Sequence, residues 1–321
     1  MNQIDPPEAA ESAPERRMHR REFLLGGIKV GLSFLILDAM AGPAFAQRNG
    51  GIRSRRLPFG PVDLEQPPSH LDDSLNVIAA YLAQFRPPDG DFSAGGAWTV
   101  RYDLIEWVGS PSMDGAKFLR GNRVLGRQVV TRRPGSAGRG VGYELDHAIT
   151  LNGFVSTLRS TMQCSAGPLP GLLDWTTDYE MRPSRGGGRA LTFREQGRHR
   201  DGVLEIAGAA GGVRRFQTDR PVLPQWAVLD VLSAGPRPAT GSGAEMEFDL
   251  FHDLTSYRPR QRLRPYGVLD ISLDGRMEKL RGFVQTGEGT EPIHYWIDAA
   301  GRPLLATGGL FASALTSIRP A

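Results

Sequence analysis

Trp98-Thr99-Val100-Arg101-Tyr102-Asp103-Leu104 is the stretch that decides the fold. Its apolar residues fall at every second position and its polar ones between them, the period of a β-strand with one buried face. Met246-Glu247-Phe248-Asp249-Leu250 repeats the pattern. Asp174, Thr176, Asp178 and Glu180 interleave in the same way with Trp175, Thr177 and Tyr179. Turn chemistry separates such runs. Asp201-Gly202 lies between 191–200 and 203–206, and Asp274-Gly275 lies between 268–273 and 277–284. Asp298-Ala299-Ala300-Gly301 lies between 293–297 and 303–307. Asp-Gly pairs between alternating runs mark tight hairpins, because both residues tolerate positive φ. Three consecutive-strand hairpins predict a mainly antiparallel sheet.

Composition agrees. The chain has 321 residues with 40 Gly and 24 Pro, which favours turns and short connections over a helical bundle, and 40% hydrophobic residues suit a globular protein. A formal charge of +3 argues against a general nucleic-acid binder. Lys29, Lys117 and Lys279 are the lysines, so nearly all of the basic charge is arginine, with no aromatic-interleaved basic run.

Two helices interrupt the β pattern. Leu71, Leu75, Ile78, Leu82 and Phe85 recur at spacings of four and three, with Asp72 and Asp73 in the first turn and Pro87-Pro88 as the stop. Pro224 suits the first helical position of a short helix over 225–232, ended by Gly235-Pro236. That helix is placed on the concave side of a large curved antiparallel sheet, a half-barrel or open barrel. Residues 1–46 are expected to be an export signal, 47–69 a flexible lead-in rich in Arg, Gly and Pro, and 70–321 a single β-rich domain.

The signal rests on a polar leader ending in Arg16, Arg17, Arg20 and Arg21, an apolar stretch over 23–37, and the small-residue site Ala44-Phe45-Ala46 before Gln47. The stretch is shorter than the roughly 20 residues that span a bilayer, so no stable transmembrane anchor is expected. Arg20-Arg21-Glu22-Phe23-Leu24 resembles the twin-arginine translocation signal, with Arg20, Arg21, Phe23 and Leu24 at the matching positions. That resemblance implies export of a folded chain by the twin-arginine translocase. Cleavage is expected after Ala46, with Ala44 as the other small residue of the site. The mature chain is then periplasmic or secreted. Cys164 is the single cysteine, which excludes an intramolecular disulfide and a lipid-bearing cysteine at the signal's end.

Catalytic templates fail. No Gly-x-Ser-x-Gly elbow, Ser-x-x-Lys or Gly-Lys phosphate loop occurs, and Gly138-Arg139-Gly140-Val141-Gly142 continues into Tyr143 as a hairpin loop would. His70, His147, His199, His252 and His294 are widely spaced, so neither a metal nor a cofactor is expected. His252 stands where the alternation of 246–250 breaks, a bulge or strand end. The candidate ligand-binding residues are Trp175, Tyr179, Trp226, His252, His294, Tyr295 and Trp296, aromatics and histidines suited to a cavity between sheet and helix. The expected role is non-catalytic binding of a lipophilic small molecule or an envelope protein. The alternative is a secreted hydrolase using Asp174 and Asp178, or His252.

The order of export signal, long hairpins, Leu223-Pro224-Gln225-Trp226-Ala227, then Tyr295-Trp296-Ile297-Asp298 closing on Gly301-Arg302-Pro303-Leu304 looks like uncharacterised exported bacterial β proteins. These resemble the half-barrel superfold of lipoprotein carriers. The resemblance implies a concave sheet able to hold an acyl chain, and it carries over no catalytic residue.

Overall fold

The computed structural model describes residues 85–88, 92–106, 123–135, 140–151, 153–185, 188–208, 212–234, 245–252, 256–308 and 311–321. The export signal, the lead-in and the helix expected over 71–85 lie outside the described residues, apart from Phe85, which is buried in the core.

Among the described residues fifteen strands form one sheet. The first run is β1 (Trp98–Glu106), β2 (Arg123–Pro134), β3 (Val141–Leu151), β4 (Phe154–Cys164), β5 (Leu172–Pro183), β6 (Leu191–Arg200), β7 (Val203–Ala207) and β8 (Val213–Gln217). β9 (Val222–Pro224) and α1 (Ala227–Ala234) follow. The second run is β10 (Met246–His252), β11 (Ser256–Leu273), β12 (Arg276–Gly287), β13 (Thr290–Ile297), β14 (Pro303–Gly308) and β15 (Phe311–Pro320). Each run is an antiparallel meander. The two join where β1 pairs antiparallel with β15, so the strand order is β8 through β1, then β15 down to β9.

The three expected hairpins form. Asp201 and Gly202 have φ of 51° and 71°, and Asp274 and Gly275 have 47° and 74°, positive values at both central residues as the tightest hairpin turn requires. The sheet is not wholly antiparallel, however. β9 pairs parallel with β10, matching Val222 to Asp249 and Pro224 to Phe251. Pro224 therefore ends a strand and does not start the helix. A proline lacks the N–H for a central ladder, and β9 is the edge strand where that costs nothing. α1 begins three residues later, after turn bonds from Val228 N to Gln225 O and Leu229 N to Trp226 O.

The connectivity forces the sheet to roll. β8 and β9 lie at opposite ends of the strand order, yet only the connection between Gln217 and Val222 separates them in sequence. Five steps along the chain reach at most about 18 Å, whereas fifteen flat strands spaced about 4.8 Å apart would hold their edges nearly 70 Å apart. Right-handed twist supplies the curvature. Side chains then meet across the gap: the Trp175 and Phe251 rings are 4.6 Å apart, and those of Phe216 and Tyr257 5.0 Å. No backbone pairing joins β8 to β9 among the described residues, so the sheet stays open, with a seam that aromatic side chains bridge.

One face of the sheet lines the interior of this roll. In β1 to β5, Trp98, Val100, Tyr102, Val130, Tyr143, Leu145, Leu158, Met162 and Trp175 point there and are buried. α1 is apolar apart from the side that carries Asp230 and Ser233, and it is almost wholly buried, as expected for a helix inside a core.

Candidate functional site

α1 is fixed through one carboxylate. Asp230 Oδ2 accepts hydrogen bonds from Arg132 Nε at 2.7 Å and Tyr143 Oη at 2.8 Å, and Arg132 Nη1 also donates to the carbonyls of Gly95 and Gly96. Arg132, Tyr143 and Trp98 share one cross-strand row, so the contact pins helix, sheet and the segment before β1 together. Burial and the nearby Asp230 charge push the Tyr143 phenol well above its ordinary range and keep it a neutral donor. Burial likewise pushes up the Cys164 thiol, as do Asp174 and Asp230, which makes this cysteine unreactive.

Beside this anchor α1 leaves a cavity of about 60 Å³ against the inner face of the sheet. Its apolar walls come from Trp226, Leu229, Leu250, Ile293 and Ala306. Tyr102, Gln128, Gln225, His252, Gln285, Tyr295 and Ser313 add polar groups, with no carboxylate, Lys or Arg among the lining residues. Most of these polar groups are held. Tyr102 Oη donates to the Pro303 carbonyl at 3.1 Å, and Tyr295 Oη donates to Gln285 Oε1 at 2.9 Å. Gln285 Nε2 donates in turn to Gln261 Oε1 at 3.2 Å, and Gln261 Nε2 bonds the carbonyls of Pro259 and Glu288. His147 Nδ1 lies 3.4 Å from Gln128 Oε1. Burial raises the Tyr102 and Tyr295 phenols, so both remain neutral. The Trp226 indole N–H is buried without a hydrogen-bond partner.

The seven nominated ligand residues divide. Trp226, His252 and Tyr295 line this cavity. Trp175 and Tyr179 are on the inner face of β5, but Trp175 packs on Phe251, and Tyr179 stacks on Phe193 with centroids 4.5 Å apart. His294 and Trp296 alternate with Tyr295 along β13 and so occupy the opposite face, where both are buried. β10 ends at His252, as the broken alternation suggests, with a register shift between Phe248 and Leu250. Tyr102, Gln128 and Gln285 were not nominated. Their signal was phase: Gln128 is in step with the inward Val130, and Gln285 with the inward Phe283.

Asp174, Thr176, Asp178 and Glu180 occupy the solvent side of β5, where Asp178 lies 3.7 Å from Arg194. A second cavity of about 310 Å³ opens on this side, between Thr131, Glu144, Asp146, Arg159, Thr176 and Asp178. Its carboxylates alternate across the strands with arginine and threonine: Asp146, Arg159 and Asp178 in one row, Glu144, Thr161 and Thr176 in the next. Among the described residues, no cluster of His, Cys, Asp and Glu could hold a metal, and no helix is long and apolar enough to cross a membrane.

No protein family and no curated protein matches the chain. Solved structures similar to it include two proteins of unknown function. One is a β-barrel-like protein of domain of unknown function DUF1849 from Brucella abortus, 12% identical, with a TM-score of 0.47, covering 71% of this chain and 98% of that one. The other is a DUF1089 family protein from Pseudomonas aeruginosa, 12% identical, with a TM-score of 0.29, covering 57% of this chain and 90% of that one.

Proposed function

We propose that the protein is exported by the twin-arginine translocase, is cleaved after Ala46, and acts in the periplasm by binding a lipophilic molecule under α1 without chemically changing it. The carrying observation is the cavity between α1 and the sheet, walled by Trp226, Leu229, Leu250, Ile293 and Tyr295 and free of charged lining residues. Apolar walls with a few fixed polar groups are the usual make-up of a small-ligand site, and an uncharged lining favours a neutral ligand. At about 60 Å³ the cavity holds a few waters or a short end group, on the basis that one water needs roughly 10–15 Å³. A whole acyl chain enters only if α1 moves outward, breaking the Asp230 contacts to Arg132 and Tyr143.

Native mass spectrometry of the protein purified from the periplasm tests this. The expected result is a chain beginning at Gln47 that carries a co-purifying neutral lipid, lost from the Trp226→Ala and Tyr295→Phe variants. A periplasmic chain that arrives bare and does not take up a fluorescent acylglycerol sinks the ligand reading. Replacing Arg20 and Arg21 by lysine tests export separately, since it should hold the uncleaved chain in the cytoplasm.

A further inference from the structure

On the solvent side of the first run, charge changes sign strand by strand. One cross-strand row reads Asp146 on β3, Arg159 on β4, Asp178 on β5 and Arg194 on β6. A second row, beyond the uncharged Thr176, Gln196, Ala207 and Val213, reads Asp174 on β5, Arg198 on β6, Glu205 on β7 and Arg215 on β8. Several of these contacts close: Glu205 accepts hydrogen bonds from Arg198 Nε and Arg215 Nε, each at 2.7 Å. Those two arginines hold the Glu205 carboxyl below its ordinary range. The row stops at Arg215 because β8 is the edge of the sheet.

With five residues that edge is long enough to pair. Among the described residues β8 has a strand neighbour only in β7, Val213 is 55% exposed, and the side chains of Arg214 and Arg215 are 48% and 67% exposed. An edge strand offers unpaired N–H and C=O groups to another extended chain, and proteins that must stay single blunt it with charge. Here the charge is all of one sign. Two β8 edges pairing antiparallel would set arginine against arginine, which disfavours a second copy of this chain. The alternation across β5 to β8 defines the complement: a strand whose solvent-side residue opposite Arg215 is acidic.

Resting on the export reading above, we propose that the β8 edge receives an extended segment of an envelope partner protein by strand addition, and that Arg215 selects an acidic residue at the position of that segment directly opposite it. Backbone pairing with β8 supplies the affinity and Arg215 supplies the choice, the usual division of labour in strand addition. No residue of β8 lines the α1 cavity, so ligand uptake and partner capture use separate residues.

The test uses the full mature chain and two fluorescein-labelled peptides, one alternating Thr with Glu and one alternating Thr with Lys, followed by fluorescence anisotropy and amide hydrogen exchange. The Thr-Glu peptide is expected to bind and to slow exchange in β8, while the Thr-Lys peptide does not bind. Arg215→Glu should weaken the Thr-Glu peptide by about fivefold and let the Thr-Lys peptide bind, given the typical worth of one cross-strand charge pair. Val213→Pro, which blocks the ladder without changing charge, should weaken whichever peptide binds in each background. Binding that persists unchanged in Val213→Pro, or a charge preference unmoved by Arg215→Glu, overturns the proposal. So does concentration-dependent dimerisation that Val213→Pro abolishes, because the edge is then a self-association site. Retention of a co-purified lipid in both variants separates this result from the fate of the α1 cavity.

Discussion

The two runs of the sheet are built from the same antiparallel hairpins but bury different amounts of themselves. Along β3, burial alternates: Val141, Tyr143, Leu145, His147 and Ile149 are inside, while Gly142, Glu144, Asp146 and Ala148 are not. Along β13 and β14 it does not. Ile293, His294, Tyr295, Trp296 and Ile297 are all buried, as are Leu304, Leu305 and Thr307. The first run rests on one apolar face and spends the other on charge. In the second run β13 and β14 are buried on both faces, and their sequence is correspondingly apolar at both parities, the pattern of a strand with no wet side. Residues in equivalent phase therefore carry very different weight.

The sharpest way to break that contrast is to truncate the same parity in each run. Trp296→Ala should cost about 3–5 kcal/mol and Leu305→Ala about 2–5 kcal/mol, through lost burial and the cavity left behind. Thr161→Ala, on the solvent side of β4, should stay within about 0.5 kcal/mol. Urea midpoints at constant slope measure all three. If Thr161→Ala and Leu305→Ala shift the midpoint equally, the second run has no buried second face.

Ion pairs divide in the same manner. The Arg132–Asp230 pair has side chains only 12% and 7% exposed, and Asp230 also accepts from Tyr143. Asp230→Asn leaves Arg132 buried without its counter-charge and should cost about 3–5 kcal/mol. Losing the exposed Arg133–Glu144 pair should not move the midpoint measurably. Equal effects would mean that α1 is not anchored through Asp230.

Each run also seats a tryptophan over a cross-strand glycine: Trp175 opposite Gly197, and Trp296 opposite Gly282. A methyl group at either glycine would overlap the indole, and at Gly197 it would also meet the Glu205 carbonyl. Gly197→Ala and Gly282→Ala should each destabilise by about 1–3 kcal/mol through overpacking. Gly197→Ala should be the worse, because a backbone atom cannot turn aside as an indole can. The reverse order would show that Trp296 is the more tightly held ring.

How much of this was legible depends on how local the signal is. Alternation and Asp-Gly turns placed the hairpins and predicted the solvent side of β5 from Asp174 to Glu180, because both depend on neighbours in sequence. The parallel pairing of β9 was not legible. Val222-Leu223-Pro224 is too short to show a period, and its partner is reached only after α1. The cavity was half legible. Trp226, His252 and Tyr295 announced themselves by residue type, whereas Tyr102, Gln128 and Gln285 join them through pairings among β1, β2, β12 and β13. Nominating His294 and Trp296 with Tyr295 treated as one cluster what strand geometry divides between two faces.

The smallest expected effect lies at the seam, where the chain leaves the first run for β9. His199 on β6 sits with Nε2 2.7 Å from Thr218 Oγ1, in the connection from β8 to β9 that holds the rolled sheet's ends together. Burial lowers its pKa from the ordinary 6.5, and the Leu172 backbone and the Asp249 charge pull the other way without cancelling it. The folded state thus binds this proton less readily than the unfolded chain. The contribution is fully present above about pH 6.5 and is lost as the pH falls through that value toward the lowered folded one. His199 is about half-buried, so solvent screens much of the effect. Comparing urea midpoints at pH 7.5 and 5.5, the wild-type chain should lose slightly more stability on acidification than His199→Gln, whose amide can still bond Thr218 but does not titrate. Should the two lose the same amount, His199 is not the acid-sensitive contact at this junction, and the join between the runs depends on its aromatic pairs instead.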